Sequence, residues 1–138
     1  MDPLVIDAST TMGFLLRDEQ PELAMKVLSA IEKGAELHVP AHWAVEVANG
    51  LLMAERRERA SQADVMEAHE LLSQLGAIID DQTTERAGRD SLALARQYGL
   101  TIYDAAYLEL AIRLKAGLAT NDKALAKAAI VAGVAVFT

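Results

Sequence analysis

Five short apolar runs set between long stretches of helical periodicity constrain this chain more than any other feature. Leu4-Val5-Ile6, Glu36-Leu37-His38-Val39, Ala77-Ile78-Ile79, Leu118-Ala119 and Val134-Ala135-Val136-Phe137 are each too short for a helix and mostly too apolar for a surface loop. The spacing between them predicts helices over about 9–17, 21–33, 41–57, 62–75, 84–98, 101–115 and 122–132. The second of these shows an apolar stripe of Ala24, Val27, Leu28 and Ile31. Glycines at 34, 76, 99, 117 and 133 fall where helical patterns stop, as a left-handed C-terminal cap favours. Alternating strands and helices imply an α/β fold, a five-stranded, mainly parallel sheet flanked by helices on both faces. Continuously apolar strands suit full burial. The 138 residues fit a single domain, 1–138, and no linker, repeat or composition break divides them.

Composition narrows the function. Cysteine is absent, so disulfides, thiolate metal sites and thiol nucleophiles are excluded. The N-terminus, Met1 to Asp7, has neither a basic region nor a long apolar region and does not read as a signal peptide. The apolar run from 128 to 137 is about half the ~20 residues that a spanning helix needs. A cytoplasmic location is expected. The net charge of −7 argues against loose electrostatic coating of nucleic acid, which calls for a basic surface. It does not argue against an acidic centre that holds cations.

In an open parallel sheet, ligands bind beyond the carboxyl ends of the strands, near the switch in strand order. Asp7 follows the first strand directly and Asp122 follows the fourth, while Asp104 stands in the first turn of its helix. Glu46 lies within a helix, three residues after Trp43, at the edge of an apolar stripe of Trp43, Val47 and Gly50. Each has a simple alternative role. Asp7 or Ser9 is placed to cap the first helix, Asn121 or Asp122 the last, and Thr101 with Asp104 forms a variant capping box. Four carboxylates in one place repel and raise one another's pKa unless a cation offsets them. Hard oxygen ligands suit Mg²⁺ or Mn²⁺, and such ions support displacement at phosphorus. Phosphodiester hydrolysis is therefore the natural chemistry, and it needs no thiol or histidine.

At four places these residues stand in familiar settings. Val5-Ile6-Asp7-Ala8-Ser9, Glu46-Val47-Ala48-Asn49-Gly50-Leu51, Tyr103-Asp104-Ala105-Ala106-Tyr107-Leu108-Glu109-Leu110-Ala111 and Leu118-Ala119-Thr120-Asn121-Asp122-Lys123-Ala124-Leu125 resemble, in order, the motifs of PIN-domain proteins. The nearest subgroup is the VapC-like toxins of toxin–antitoxin pairs. The resemblance spans essentially the whole chain. It implies that Asp7, Glu46, Asp104 and Asp122 form the catalytic, metal-holding set. Thr120 would orient the site, with Ser9 and Asn121 as weaker candidates for the same supporting work. It also implies an endoribonuclease that uses Mg²⁺ or Mn²⁺, forms a homodimer and is silenced by a cognate antitoxin protein.

Other features read more plainly. The run Glu55-Arg56-Arg57-Glu58-Arg59 is taken as a solvated helix end in preference to an RNA contact. Lys123 and Lys127 are better placed for phosphates; Arg86, Arg89 and Arg113 have no assigned place. His38, His42 and His69 are read as structural or exposed. Trp43 is read as core, and Tyr103 as a residue able to stack a base. The first four helices carry apolar stripes whose ordinary use is covering the sheet, although they would also suit a partner helix. An aspartyl-phosphate phosphotransferase of the haloacid-dehalogenase type wants a second aspartate two residues after the first, where this chain has Ser9. A catalytically silent PIN-like binding module and a PIN nuclease of RNA maturation are the remaining alternatives.

Overall fold

The computed structural model describes residues 2–16 and 21–137. Five strands, β1 (Pro3–Ile6), β2 (Glu36–Val39), β3 (Ile78–Ile79), β4 (Gly117–Ala119) and β5 (Val136–Phe137), form one sheet in the order β3-β2-β1-β4-β5. Every neighbouring pair is parallel, with Val5 opposite His38 on one side and Leu118 on the other. The strand order therefore reverses at β1 and β4, in the centre of the sheet. That crevice is where an open parallel sheet takes its ligands.

The helices are α1 (Ala8–Leu15), α2 (Pro21–Glu32), α3 (Trp43–Arg56), α4 (Gln62–Gln74), α5 (Thr83–Arg86), α6 (Leu92–Tyr98), α7 (Ile102–Leu114) and α8 (Lys123–Val131). They form two groups: α1 packs with α2, α3 and α4, whereas α7 lies against β1 and β4 with α6 and α8 beside it. Seven consecutive residues of α7, Ala105 to Ala111, are buried, so this helix belongs to the core along its whole middle. Trp43 is buried as expected, and its indole N–H donates to Thr11 Oγ1 at 2.9 Å. Thr11 Oγ1 in turn donates to the Asp7 carbonyl at 2.8 Å, which ties α3 to the end of β1.

Several local expectations change. The end of the first helix at Arg17 lies outside the described residues. On α2 the core takes Leu23 and Val27, while Leu28 is 45% exposed at the margin of the stripe. Burial does not extend to the sheet edge: Ile78 and Ile79 of β3 are 43% and 50% exposed because β3 has a neighbour on one side only. The helix expected over 84–98 is broken into α5 and α6 by a π-helical turn, Ala87–Ser91, that contains Gly88. Gly117 does not cap α7. Lys115 takes the left-handed position at φ 54°, and Gly117 enters β4. A Cβ at Gly117 would stand 3.1 Å from the Phe137 ring, so close strand packing, not chain reversal, calls for glycine there.

Candidate active site

The end of β1 delivers Asp7 to the crevice between β1 and β4, where its N–H donates to the Ala119 carbonyl. Its side chain is buried and fully engaged. Oδ1 accepts from Ser9 Oγ and the Thr10 N–H, both at 2.9 Å, and Oδ2 accepts from Thr120 Oγ1 at 2.5 Å. Asp7 thus caps α1 and is locked in direction by the same bonds. Thr120, wholly buried at the exit of β4, also accepts from the Asp122 N–H at 3.0 Å. One hydroxyl consequently joins Asp7 to Asp122, which is the physical content of the Thr-x-Asp spacing. Asp122 Oδ1 accepts from the Leu125 N–H at 2.9 Å and caps α8. Asn121 makes no hydrogen bond through its side chain among the described residues.

Glu46 stands in the first turn of α3, and Oε1 accepts from the Tyr107 hydroxyl at 2.7 Å. His42, four residues earlier, places Nε2 3.3 Å from the same oxygen and 3.1 Å from the Tyr103 carbonyl. Burial raises the Glu46 pKa, but the hydrogen bonds with His42 and Tyr107 and the attraction of His42 outweigh it. Glu46 is held below the usual carboxylate range. Burial and the bond to Glu46 push the Tyr107 hydroxyl far up, so it stays a donor.

Asp104 behaves in the opposite way. Its pKa is raised by burial and then by the charges of Asp122, Asp7 and Glu46, against a smaller lowering by Thr101. Four carboxylates carried by the exits of β1 and β4 and the first turns of α3 and α7 therefore share one electrostatic site, and Asp104 bears most of the repulsion. Among the described residues, no three acidic or histidine side chains close tightly enough to surround an ion by themselves. This donor set nevertheless fits Mg²⁺ or Mn²⁺. Mg²⁺ usually retains several waters and needs only one or two carboxylates directly, and every group here is a hard oxygen.

Asp7 and Asp122 are each both a helix cap and a member of the acidic cluster, whereas α7 is capped by Thr101, which accepts from the Asp104 N–H, and Glu46 caps no helix. His42, read from the sequence as structural or exposed, supports the site by abutting Glu46. Tyr107 was not singled out. Its position three residues after Asp104, on the same face of α7, is the signal that points to it. Arg113 is not a phosphate ligand in waiting: it binds Asp80 at 3.0 and 2.8 Å and Glu109 at 2.9 Å through two nitrogens, in a buried ion cluster. Arg86 bonds to Gln82 and Asp90. Arg57 and Arg59, read from the sequence as a solvated helix end, line a groove that also touches Ser9 and Glu46.

A parallel α/β sheet with an acidic, oxygen-only site at its central switch point defines a class of protein. The particular family follows from comparison: the PIN-domain model matches residues 4–131, and the chain belongs to the PIN-domain family. It is 32% identical over 124 residues to Ribonuclease VapC3 of Pyrobaculum aerophilum, covering 90% of this chain and 92% of that protein. Its fold is similar to that of PAE2754 from the same organism, with a TM-score of 0.71, 22% identity, and coverage of 99% of this chain and 84% of that one. VapBC2 from Rickettsia felis, bound to a DNA fragment from its promoter, gives a TM-score of 0.65, 17% identity and coverage of 97% and 96%. FitAcB from Neisseria gonorrhoeae gives 0.66, 17%, and coverage of 98% and 96%. No helix among the described residues is long and apolar enough to cross a membrane.

Proposed function

We propose that the chain, acting as one domain, is a divalent-metal-dependent endoribonuclease and the toxin of a toxin–antitoxin pair. The observation that carries this reading is the convergence of four carboxylates from the exits of β1 and β4 and the first turns of α3 and α7, with the half-buried Asp104 feeling the charges of the other three. Asp7, Glu46, Asp104 and Asp122 would hold Mg²⁺ or Mn²⁺. The bound ion supplies a counter-charge for the phosphate oxygens and lowers the pKa of water. The chain's own residues do the positioning. Ser9, Thr10 and Thr120 fix Asp7; Tyr107 and His42 keep Glu46 ionised and aimed; Thr120 sets Asp122 beside Asp7. PIN ribonucleases depend in general on divalent metal, and similarity to Ribonuclease VapC3 supports RNA as the substrate. Similarity of fold to VapBC2 and FitAcB supports an antitoxin partner. A homodimer in the cytoplasm completes the proposal.

The test is incubation of purified protein with total bacterial RNA and Mn²⁺, with EDTA and Asp7→Asn as controls. Internal cleavage by the wild type alone, abolished by EDTA, is the expected result. RNA left intact by wild type under all metal conditions, or cut equally by Asp7→Asn, overturns the reading.

A further inference from the structure

A groove of about 580 Å³ runs between α1 and α3 and opens at the acidic site. Ser9 and Glu46 line it at that site. Ala8, Met12, Leu16, Gly50, Met53 and Ala54 give it an apolar floor and low walls, and Arg57 and Arg59 line it beyond α3. Gly50 matters for its depth. A Cβ there would stand 3.0 Å from Met12 Sδ, so Met12 lies directly on the backbone of α3. Neither arginine is ion-paired among the described residues, although Glu55 and Glu58 are their sequence neighbours. The chain turns sharply here. Glu58 adopts φ 59° while the Arg59 N–H returns to the Ala54 carbonyl at 2.9 Å. A left-handed non-glycine residue costs about 1 kcal/mol, and this one lies in the turn that brings Arg59 back to the groove that Arg57 also lines.

Resting on the nuclease reading above, we infer that this groove holds a single-stranded RNA segment leading away from the scissile phosphate, with Arg57 and Arg59 binding its backbone. Arg57 follows Glu46 by eleven residues, roughly 16 Å at about 1.5 Å per residue of helix. That span takes up to about five nucleotides at a stacked rise of about 3.4 Å. Base faces pack on the methionine thioethers, which are polarizable and adaptable, and the apolar floor imposes no base-edge code. The chain carries a net charge of −7, so a polyanion must be met by local cations. Two unpaired guanidiniums at the far end of a groove that begins at the acidic centre meet that requirement.

The probe is a 5′-fluorescein-labelled, unstructured oligouridylate of about ten nucleotides. Its binding is followed by anisotropy in EDTA from low to moderate salt, so that no strand is cut. The Arg57→Ala/Arg59→Ala double variant is compared with wild type and with Arg56→Ala, an exposed arginine that does not line the groove. Loss of two phosphate contacts lowers the slope of log affinity against log salt by about 1.4 and weakens binding about tenfold. Arg56→Ala keeps the wild-type slope, and melting curves confirm that all three proteins are folded. Equal slopes for wild type and the double variant overturn the inference, as does a wild type that does not bind the oligonucleotide. If the double variant keeps wild-type RNA binding but loses affinity for a glutamate-bearing amphipathic peptide, the groove belongs to a protein instead. Mn²⁺ binding by the double variant is measured in parallel: it stays at the wild-type level if only the groove assignment fails, and is absent from both proteins if the nuclease reading fails.

Discussion

Asp104→Asn is expected to make the metal-free protein more stable and the metal-loaded protein relatively less stable. The Asp104 carboxyl is disfavoured by burial and by the charges of Asp122, Asp7 and Glu46. Asparagine keeps the shape and removes the charge. The cap of α7 survives, because the bond there runs from the backbone N–H of residue 104 to Thr101 Oγ1. Relief of such active-site strain is worth about 0.5–2 kcal/mol. With an unfolding entropy of about 2.1 cal/mol/K per residue, the 138 residues give about 0.29 kcal/mol/K. The variant should then melt about 2–7 °C above wild type in EDTA at pH 7. A carboxyl whose folded pKa is raised contributes stability that is present at acid pH and lost as pH rises through that pKa. The advantage of the variant should therefore shrink as pH falls through the raised Asp104 pKa into the ordinary carboxylate range. Mn²⁺ at a hundred times its Kd stabilises wild type by about 2.7 kcal/mol, or about 9 °C on the same scale, and the order of melting should invert. Scanning calorimetry with and without Mn²⁺ checks this. A variant that melts below wild type in EDTA at pH 7, or an order that Mn²⁺ does not change, would refute the reasoning.

Tyr107→Phe removes the hydroxyl that donates to Glu46, so the Glu46 pKa should rise and unfolding stability in urea should fall by about 1.5–3 kcal/mol. A Glu46 carboxyl that titrates unchanged by NMR would contradict that. Arg113→Ala leaves Asp80 and Glu109, each with 7% side-chain exposure, without their cation, and should cost about 3–5 kcal/mol in urea denaturation. Burial raises the Asp80 pKa but Arg113 and Thr83 more than reverse it. This contribution is therefore present above the ordinary carboxylate range and lost as pH falls through the depressed value. The gap between Arg113→Ala and wild type should narrow in acid, and melts at neutral and acid pH read it directly.

Much of this architecture was legible because its signals are local. Short apolar runs and glycine-terminated helical patterns specify strand–helix alternation, and a parallel sheet follows from it. Asp7, Asp104 and Asp122 were visible because strand exits and helix starts are where such a sheet presents ligands. What escaped depends on contacts between distant residues. Tyr107 meets Glu46 across sixty-one positions, and Arg113 meets Asp80 across thirty-three, and no periodicity encodes either. Gly117 misled because glycine serves both for left-handed caps and for close strand approach. Only the Phe137 ring beside it decides which. Arg57 and Arg59 are exposed at the end of α3, as the sequence indicates, but the left-handed turn at Glu58 that sets Arg59 beside the groove is unusual for glutamate and carries no local signal.

The central claim is that Asp7, Glu46, Asp104 and Asp122 form one cation site, and calorimetric titration of Mn²⁺ into metal-free protein at pH 7 tests it most directly. Wild type should bind one or two ions, and replacing any one of the four carboxylates by its amide should weaken that binding at least about tenfold. No heat of binding to wild type, or four amide variants that bind as wild type does, would contradict the account.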